Sequence, residues 1–195
     1  MPRINNKKFY DLAIKRFKLT PQGVHWQSKQ TQELRFEVMK NLLGVEIKNL
    51  EIVDAGCGFG DLYSYLHQED RLPKSYIGLD IHPKMVKIAK KQTKQKIFEA
   101  NVLTDTLPEA DYYLCSGAMN VLERFETTLF ISQMLRFSRC GVIFNLLKGE
   151  DHSTTYNKYL PQEIKEQFSD FTGELRILED YLDHDFTVVL EKAKL

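Results

Sequence analysis

The sequence has little that could brace it from outside its own core. Three cysteines (Cys57, Cys115, Cys140) are odd in number and form no C-x-x-C pair, so a disulfide framework or a thiolate metal site is not expected. The five histidines, at 25, 67, 82, 152 and 184, are scattered without metal-ligand spacing, and no metal is expected. No apolar run approaches the ~20 residues of a membrane span, and no signal-peptide pattern opens the chain. Net charge is absent too: 27 Lys and Arg balance 27 Asp and Glu, so nothing global demands nucleic acid or an anionic membrane. The expectation is a soluble, cytoplasmic protein in a reducing compartment.

What is present is ordinary for a packed domain, with 43% hydrophobic and 28% charged residues over 195 positions. Repeats, low-complexity tracts and long linkers are missing, so one domain over residues 1–195 is expected. Charge is uneven: residues 1–50 hold ten Lys and Arg against four acids, and residues 151–195 hold five against ten. Solvated helix faces account for such a gradient. The lysines at 84, 87, 90, 91, 94 and 96 read the same way, because no aromatic residue is interleaved to stack bases.

Residues 3–19 carry apolar positions at near-helical spacing and stop at Thr20-Pro21-Gln22-Gly23. A second helix is expected from after Ser28 to about Leu43, with Leu34, Val38 and Leu42 facing one core and Gly44 as its stop. Together they read as an N-terminal helical cap over residues 1–45, ahead of a core over 46–195. From Leu50 the pattern alternates. Strands are expected at 50–55, 76–81, 96–100, 111–116 and 141–147, with helices after the first strand, from Pro83 to about Lys91, and over about 123–137. That alternation implies a mostly parallel α/β sheet with right-handed crossovers. Residues 174–181 and 185–192 are two further β-rich runs. Their short connection forces an antiparallel pair, since a parallel return needs a dozen residues or more.

The stretch Glu51-Ile52-Val53-Asp54-Ala55-Gly56-Cys57-Gly58-Phe59-Gly60 organises the rest. An apolar strand ends in an acid, and three glycines at alternating positions let bare backbone approach a ligand. Strand, glycine turn and helix form the nucleotide crevice of an open α/β sheet. A dinucleotide G-x-G-x-x-G would need its third glycine at position 61, where the chain has Asp61, a carboxylate that would repel a pyrophosphate. A phosphate-free ligand fits better. Asp80, 20 residues past Gly60 at the end of the second strand, is placed to accept from both hydroxyls of a ribose.

Asp-x-Gly-x-Gly-x-Gly at 54–60 resembles motif I of the class I S-adenosylmethionine-dependent methyltransferases, and the order of elements over residues 50–192 is similar to their Rossmann-like fold. The W-x-S…Q-x-x-R-F stretch at 26–36 is similar to one in some uncharacterised bacterial small methyltransferases. The resemblance implies S-adenosylmethionine as cofactor. It implies backbone contacts from Gly56 and Gly58 to the methionine portion beside Gly60, and Asp54 holding the turn or meeting the ammonium. Ile81 then packs on the adenine face or belongs to the core. Asn101 stands where the family commonly has an aspartate for the adenine amino group, with the Val102 amide beside it and Asp105 as the alternative. Ser116 and Gly117 fall where the family lines the methyl-transfer site, and Asn120 is expected to face the substrate. Arg35 suits the cofactor carboxylate, or is a surface arginine. Tyr156 and its neighbours Tyr159 and His152 lie in an insertion that covers a substrate pocket or is simply packed. His25, His152 and Tyr156 are candidate bases, although methyl transfer from a sulfonium does not require one.

The expected function is methyl transfer to a small-molecule acceptor. RNA or protein methylation, or cofactor binding without catalysis, are the alternatives. The lack of an Asn/Asp-Pro-Pro-Tyr/Phe motif argues against amino-group DNA methylation.

Overall fold

The computed structural model describes residues 5–24 and 28–193, and of Asn6 and Lys7 only the backbone. Seven strands form one sheet in the order β3-β2-β1-β4-β5-β7-β6. They are β1 (Glu51–Ala55), β2 (Ser75–Asp80), β3 (Lys96–Glu99), β4 (Ala110–Cys115), β5 (Ser138–Leu147), β6 (Gly173–Leu178) and β7 (Asp185–Lys192). The first five pair in parallel, while β7 runs antiparallel to both β5 and β6. This is the Rossmann-like methyltransferase sheet with its C-terminal hairpin. The hairpin connection spans 179–184, longer than the three residues expected, because the sixth strand leaves the ladder at Leu178.

Among the described residues, six α-helices surround the sheet: α1 (Asn6–Phe17), α2 (Lys29–Leu43), α3 (Asp61–Gln68), α4 (Pro83–Thr93), α5 (Arg124–Phe137) and α6 (Pro161–Gln167). Strand periodicity divides the core between two faces. Val53, Tyr113, Val142 and Val188 point to one side, where Phe130, Ile131 and Met134 of α5 and Ile164 of α6 cover them. Ile52, Leu114, Ile143 and Val189 point to the other, under Phe36, Met39 and Leu43 of α2 and Leu62 and Leu66 of α3. Burial of each such side chain contributes roughly 1.5–3 kcal/mol.

The second helix is therefore packed as a layer on one face of the sheet. Its buried stripe is Gln32, Arg35, Phe36, Met39 and Leu43, and the expected stripe of Leu34, Val38 and Leu42 is only half-buried. Ser28 caps the helix, its Oγ accepting from the Thr31 amide at 3.1 Å. The first helix sits differently. It is joined to the chain that follows by the 3-10 turn Pro21–Val24, and Asp11 reaches Lys84 of α4 at 2.5 Å.

The strand order reverses between β1 and β4, which is where an open α/β sheet parts its loops and leaves a crevice at the strand tips. Among the described residues, no helix is long and apolar enough to cross a membrane.

Candidate functional site

A cavity of about 220 Å³ opens at that reversal point. Its floor is the turn after β1. Gly56, Gly58 and Gly60 all hold positive φ (80°, 55° and 83°), a region costly for other residues, so the three-glycine spacing is a backbone requirement. The three differ in what surrounds them. A Cβ on Gly56 would meet the Ala118 Cβ at 2.2 Å, and one on Gly60 would meet Thr93 Cγ2 at 2.4 Å. A Cβ on Gly58 would find only Val24 at 3.4 Å. Gly56 and Gly58 line the cavity; Gly60 instead allows α4 to close against the start of α3.

Asp80 is buried at the tip of β2. Its Oδ2 accepts from the Gly58 amide at 2.9 Å and its Oδ1 from the His82 amide at 2.8 Å. Burial raises its pKa to about 6, against the lowering effect of those two amides. Each oxygen keeps a lone pair for a ligand hydroxyl. Asp54, under the turn, accepts from the Tyr76 hydroxyl at 2.6 Å. Burial first, with the Asp80 and Asp61 charges adding to it against the Tyr76 bond, pushes Asp54 to about 7. Asp61 completes an acidic wall. Gln32 Nε2 donates to its Oδ2 at 3.0 Å, and burial raises its pKa. Among the described residues, no lysine or arginine lines the cavity.

Beyond Asp80, Ile81 is half-exposed at the rim, and Val102 is buried in the wall. Asn101 lines the cavity, but its Oδ1 already accepts from the Leu103 amide at 3.1 Å while its own amide donates to Asp105 Oδ2 at 2.9 Å. The Asn101 side-chain oxygen and backbone amide thus shape the loop, and the side-chain Nδ2 is the group left for a ligand. Asp105 is exposed and outside the cavity. After β4, Ser116, Gly117 and Asn120 all reach the wall, and Gly117 starts the 3-10 turn Ala118–Val121 at φ 83°. The Ser116 hydroxyl donates to Asn145 Oδ1 at 2.7 Å, and Asn145 Nδ2 donates to Thr187 Oγ1 at 2.8 Å. The Ser116 proton is therefore engaged by Asn145.

Arg35 does not join this group. It is buried on the sheet face under α2, where Nε donates to Asp185 Oδ1 at 2.9 Å and the second guanidinium nitrogen pairs with Oδ2. Its spacing with Gln32 holds, yet the two side chains part company: Gln32 goes to the cavity and Arg35 to β7. Of the candidate bases, His25 lies outside the described residues. His152 is exposed and pairs with Glu150 at 2.9 Å, away from the cavity. Tyr156 lines the cavity, and burial raises its pKa. The thiol of Cys57, in the same wall, is pushed well above its ordinary value by burial, so it is no nucleophile at neutral pH.

Sequence reasoning missed Tyr10, Gln32 and His82 as wall residues. Tyr10 could have been found, because it shares the apolar face of the first helix with Ala13; Gln32 stands in the Q-x-x-R-F stretch, which marks it without giving it a role, and His82 carries no local signal. Among the described residues, no cluster of three or more potential metal ligands occurs.

Comparison with known proteins agrees with this layout. Residues 46–173 match the model of a methyltransferase domain family. A search of curated proteins returns no match. Among solved structures, magnesium protoporphyrin IX methyltransferase from Synechocystis PCC 6803, with bound S-adenosylhomocysteine, is 15% identical with a TM-score of 0.68, over 84% of this chain and 83% of that one. The pyocyanin biosynthetic protein PhzM is 15% identical with a TM-score of 0.69, over 94% of this chain and 62% of that one. A methyltransferase domain of bacterial CtHen1 is 15% identical with a TM-score of 0.67, over 84% and 99% of the two chains.

Proposed function

We propose, for a chain that belongs to the methyltransferase-domain family, that it transfers a methyl group from S-adenosylmethionine to a small-molecule acceptor. The observation that carries this reading is the charge of the cavity. Three carboxylates (Asp54, Asp61 and Asp80) face it and, among the described residues, no lysine or arginine does. A phosphate-bearing ligand would meet uncompensated repulsion there. A ligand carrying an ammonium and a sulfonium meets complementary charge.

S-Adenosylmethionine, when bound, supplies a methyl group on a positively charged sulfur that is already a good leaving group. The residues of the chain bind, orient and exclude water. Asp80 takes the ribose hydroxyls through the lone pairs that the Gly58 and His82 amides leave open. Gly56 and Gly58 admit the methionine portion against bare backbone, and Asp61 and Ser116 offer acceptors to its ammonium. Ile81, Val102 and the Asn101 side-chain Nδ2 border the adenine. Asn120 and Tyr156 stand on the acceptor side. Holding two reactants in line is worth about 7 kcal/mol or more, so a dedicated base is not needed for useful rates.

The small-molecule reading rests on the same enclosure: a chamber of about 220 Å³ lined by no lysine or arginine among the described residues offers little to a nucleic-acid backbone. The test is calorimetric titration with S-adenosylhomocysteine and, separately, with NAD. Micromolar or tighter binding of the first and none of the second is expected. Binding of NAD alone would overturn the assignment.

A further inference from the structure

Resting on that cofactor reading, we infer that the acceptor is an uncharged, flat molecule that slots between Tyr10 and Tyr156 and delivers an O–H or N–H to the side-chain oxygen of Asn120. Three separate segments build this end of the cavity. Tyr10 comes from α1, Asn120 from the 3-10 turn after β4, and Tyr156 from the segment between β5 and α6. They are tied together. The Asn157 amide donates to the Asn120 carbonyl at 2.7 Å, which fastens the Tyr156 segment to the turn. The Phe9 ring meets Tyr156 edge-on at 6.4 Å and Tyr10 edge-on at 5.4 Å, so the two tyrosines flank one aromatic hub.

Asn120 Oδ1 is the polar anchor. It is buried and accepts no hydrogen bond from the described residues. An acceptor oxygen withdrawn from water without a donor is costly, so its placement in a cavity wall asks for a ligand donor. Val121 and Leu122 line the same cavity. Charge decides the remaining question. Among the described residues, an anionic acceptor finds no lysine or arginine and three carboxylates in the cavity wall. A cationic one would be driven from the sulfonium it must approach, and an ammonium has no lone pair to methylate. During transfer the acceptor's lone pair forms the new bond to carbon as the sulfur–carbon bond breaks. The electron pair stays on sulfur, and the displaced proton leaves to water.

The test uses analogues of S-adenosylhomocysteine with nitrogen in place of sulfur and a two-carbon arm on that nitrogen. The arm ends in phenyl, 4-hydroxyphenyl, 4-carboxyphenyl or 4-(aminomethyl)phenyl, and affinity is read by calorimetry on the full chain. The hydroxyphenyl arm is expected to bind at least tenfold tighter than the armless parent and at least tenfold tighter than either charged arm. In Asn120→Ala its advantage over the phenyl arm is expected to fall below threefold. A smaller gain, equal binding of the four arms, or preference for a charged arm overturns the inference while leaving the cofactor reading intact. Failure of the armless parent and of S-adenosylhomocysteine to bind overturns the cofactor reading itself, and this inference with it.

Discussion

The Gly58 amide donates to Asp80 Oδ2 at 2.9 Å across 22 positions of sequence. The glycine turn and the acid that follows the second strand are thus one unit, each shaping the other before any ligand arrives. Because burial holds Asp80 at about 6, its ionisation falls inside an accessible range. Protonation removes an acceptor, so a ligand that donates to the carboxylate favours the charged form. S-Adenosylhomocysteine affinity is therefore expected to fall as pH drops through the ligand-free Asp80 pKa of about 6, by up to about tenfold per unit until the lower bound-state pKa is reached. Asp80→Ala is expected to weaken binding tenfold or more and to abolish this slope, as read by calorimetry across the pH series.

Asp54 gives a stability effect of opposite sense. Its folded pKa of about 7 stands above the ordinary carboxylate value of 3.8, so the native state holds a proton that the unfolded chain has released. Between those two values stability falls as pH rises, and above 7 the full penalty applies, at most about 4 kcal/mol. Asp54→Asn keeps an acceptor for the Tyr76 hydroxyl without the buried charge. It is expected to be more stable than the native chain at pH 8 and to lose that advantage by pH 4.5, as measured by urea unfolding at the two pH values.

How much of this was legible in the sequence depended on whether the signal was local. The strand starting near Glu51, its glycine turn and Asp80 were readable because backbone conformation and chain direction restrict which residues can stand there. The parallel order and the terminal hairpin followed from connection lengths. The second helix misled, because the expected stripe counted only apolar residues. Its buried face includes Gln32 and Arg35, whose partners Asp61 and Asp185 lie 29 and 150 positions away. Helix α6 was not anticipated, being seven residues long inside an irregular segment. The end of the cavity at Asn120 and Tyr156 was half-read: Asn120 stood in the segment after the fourth strand that the family resemblance singles out and Tyr156 in an insertion that either covers a pocket or is simply packed, whereas Tyr10 enters from a helix whose pattern says only that one face is buried.

The glycines separate by role. In Gly60→Ala the new methyl would press on Thr93 Cγ2 at 2.4 Å and the residue would keep φ at 83°, so α3 and α4 must part. A stability loss of about 1–3 kcal/mol is expected, with S-adenosylhomocysteine affinity changed less than fivefold in the folded protein. In Gly56→Ala the clash is with Ala118 at 2.2 Å, in the turn that forms the opposite wall of the cavity. There affinity is expected to fall at least tenfold. Urea unfolding and calorimetry on both variants check the contrast, and equal affinity losses would place Gly60 at the ligand after all.

Arg35 and Asp185 test whether the guanidinium near the N-terminus serves the cofactor or the sheet. The pair is buried, joining α2 to the first residue of β7, and burial lowers the Arg35 pKa to about 10, still charged at neutral pH. Removing one partner strands the other's charge in the interior. Arg35→Met is therefore expected to cost about 3–5 kcal/mol, and Arg35→Met with Asp185→Leu to recover most of that loss, because a desolvated ion pair is replaceable by apolar packing. In the double variant S-adenosylhomocysteine should bind within threefold of the native affinity, since Arg35 does not line the cavity. Urea unfolding gives the first pair of numbers and calorimetry the last. A double variant that is fully stable yet binds a hundredfold more weakly would return Arg35 to the cofactor carboxylate.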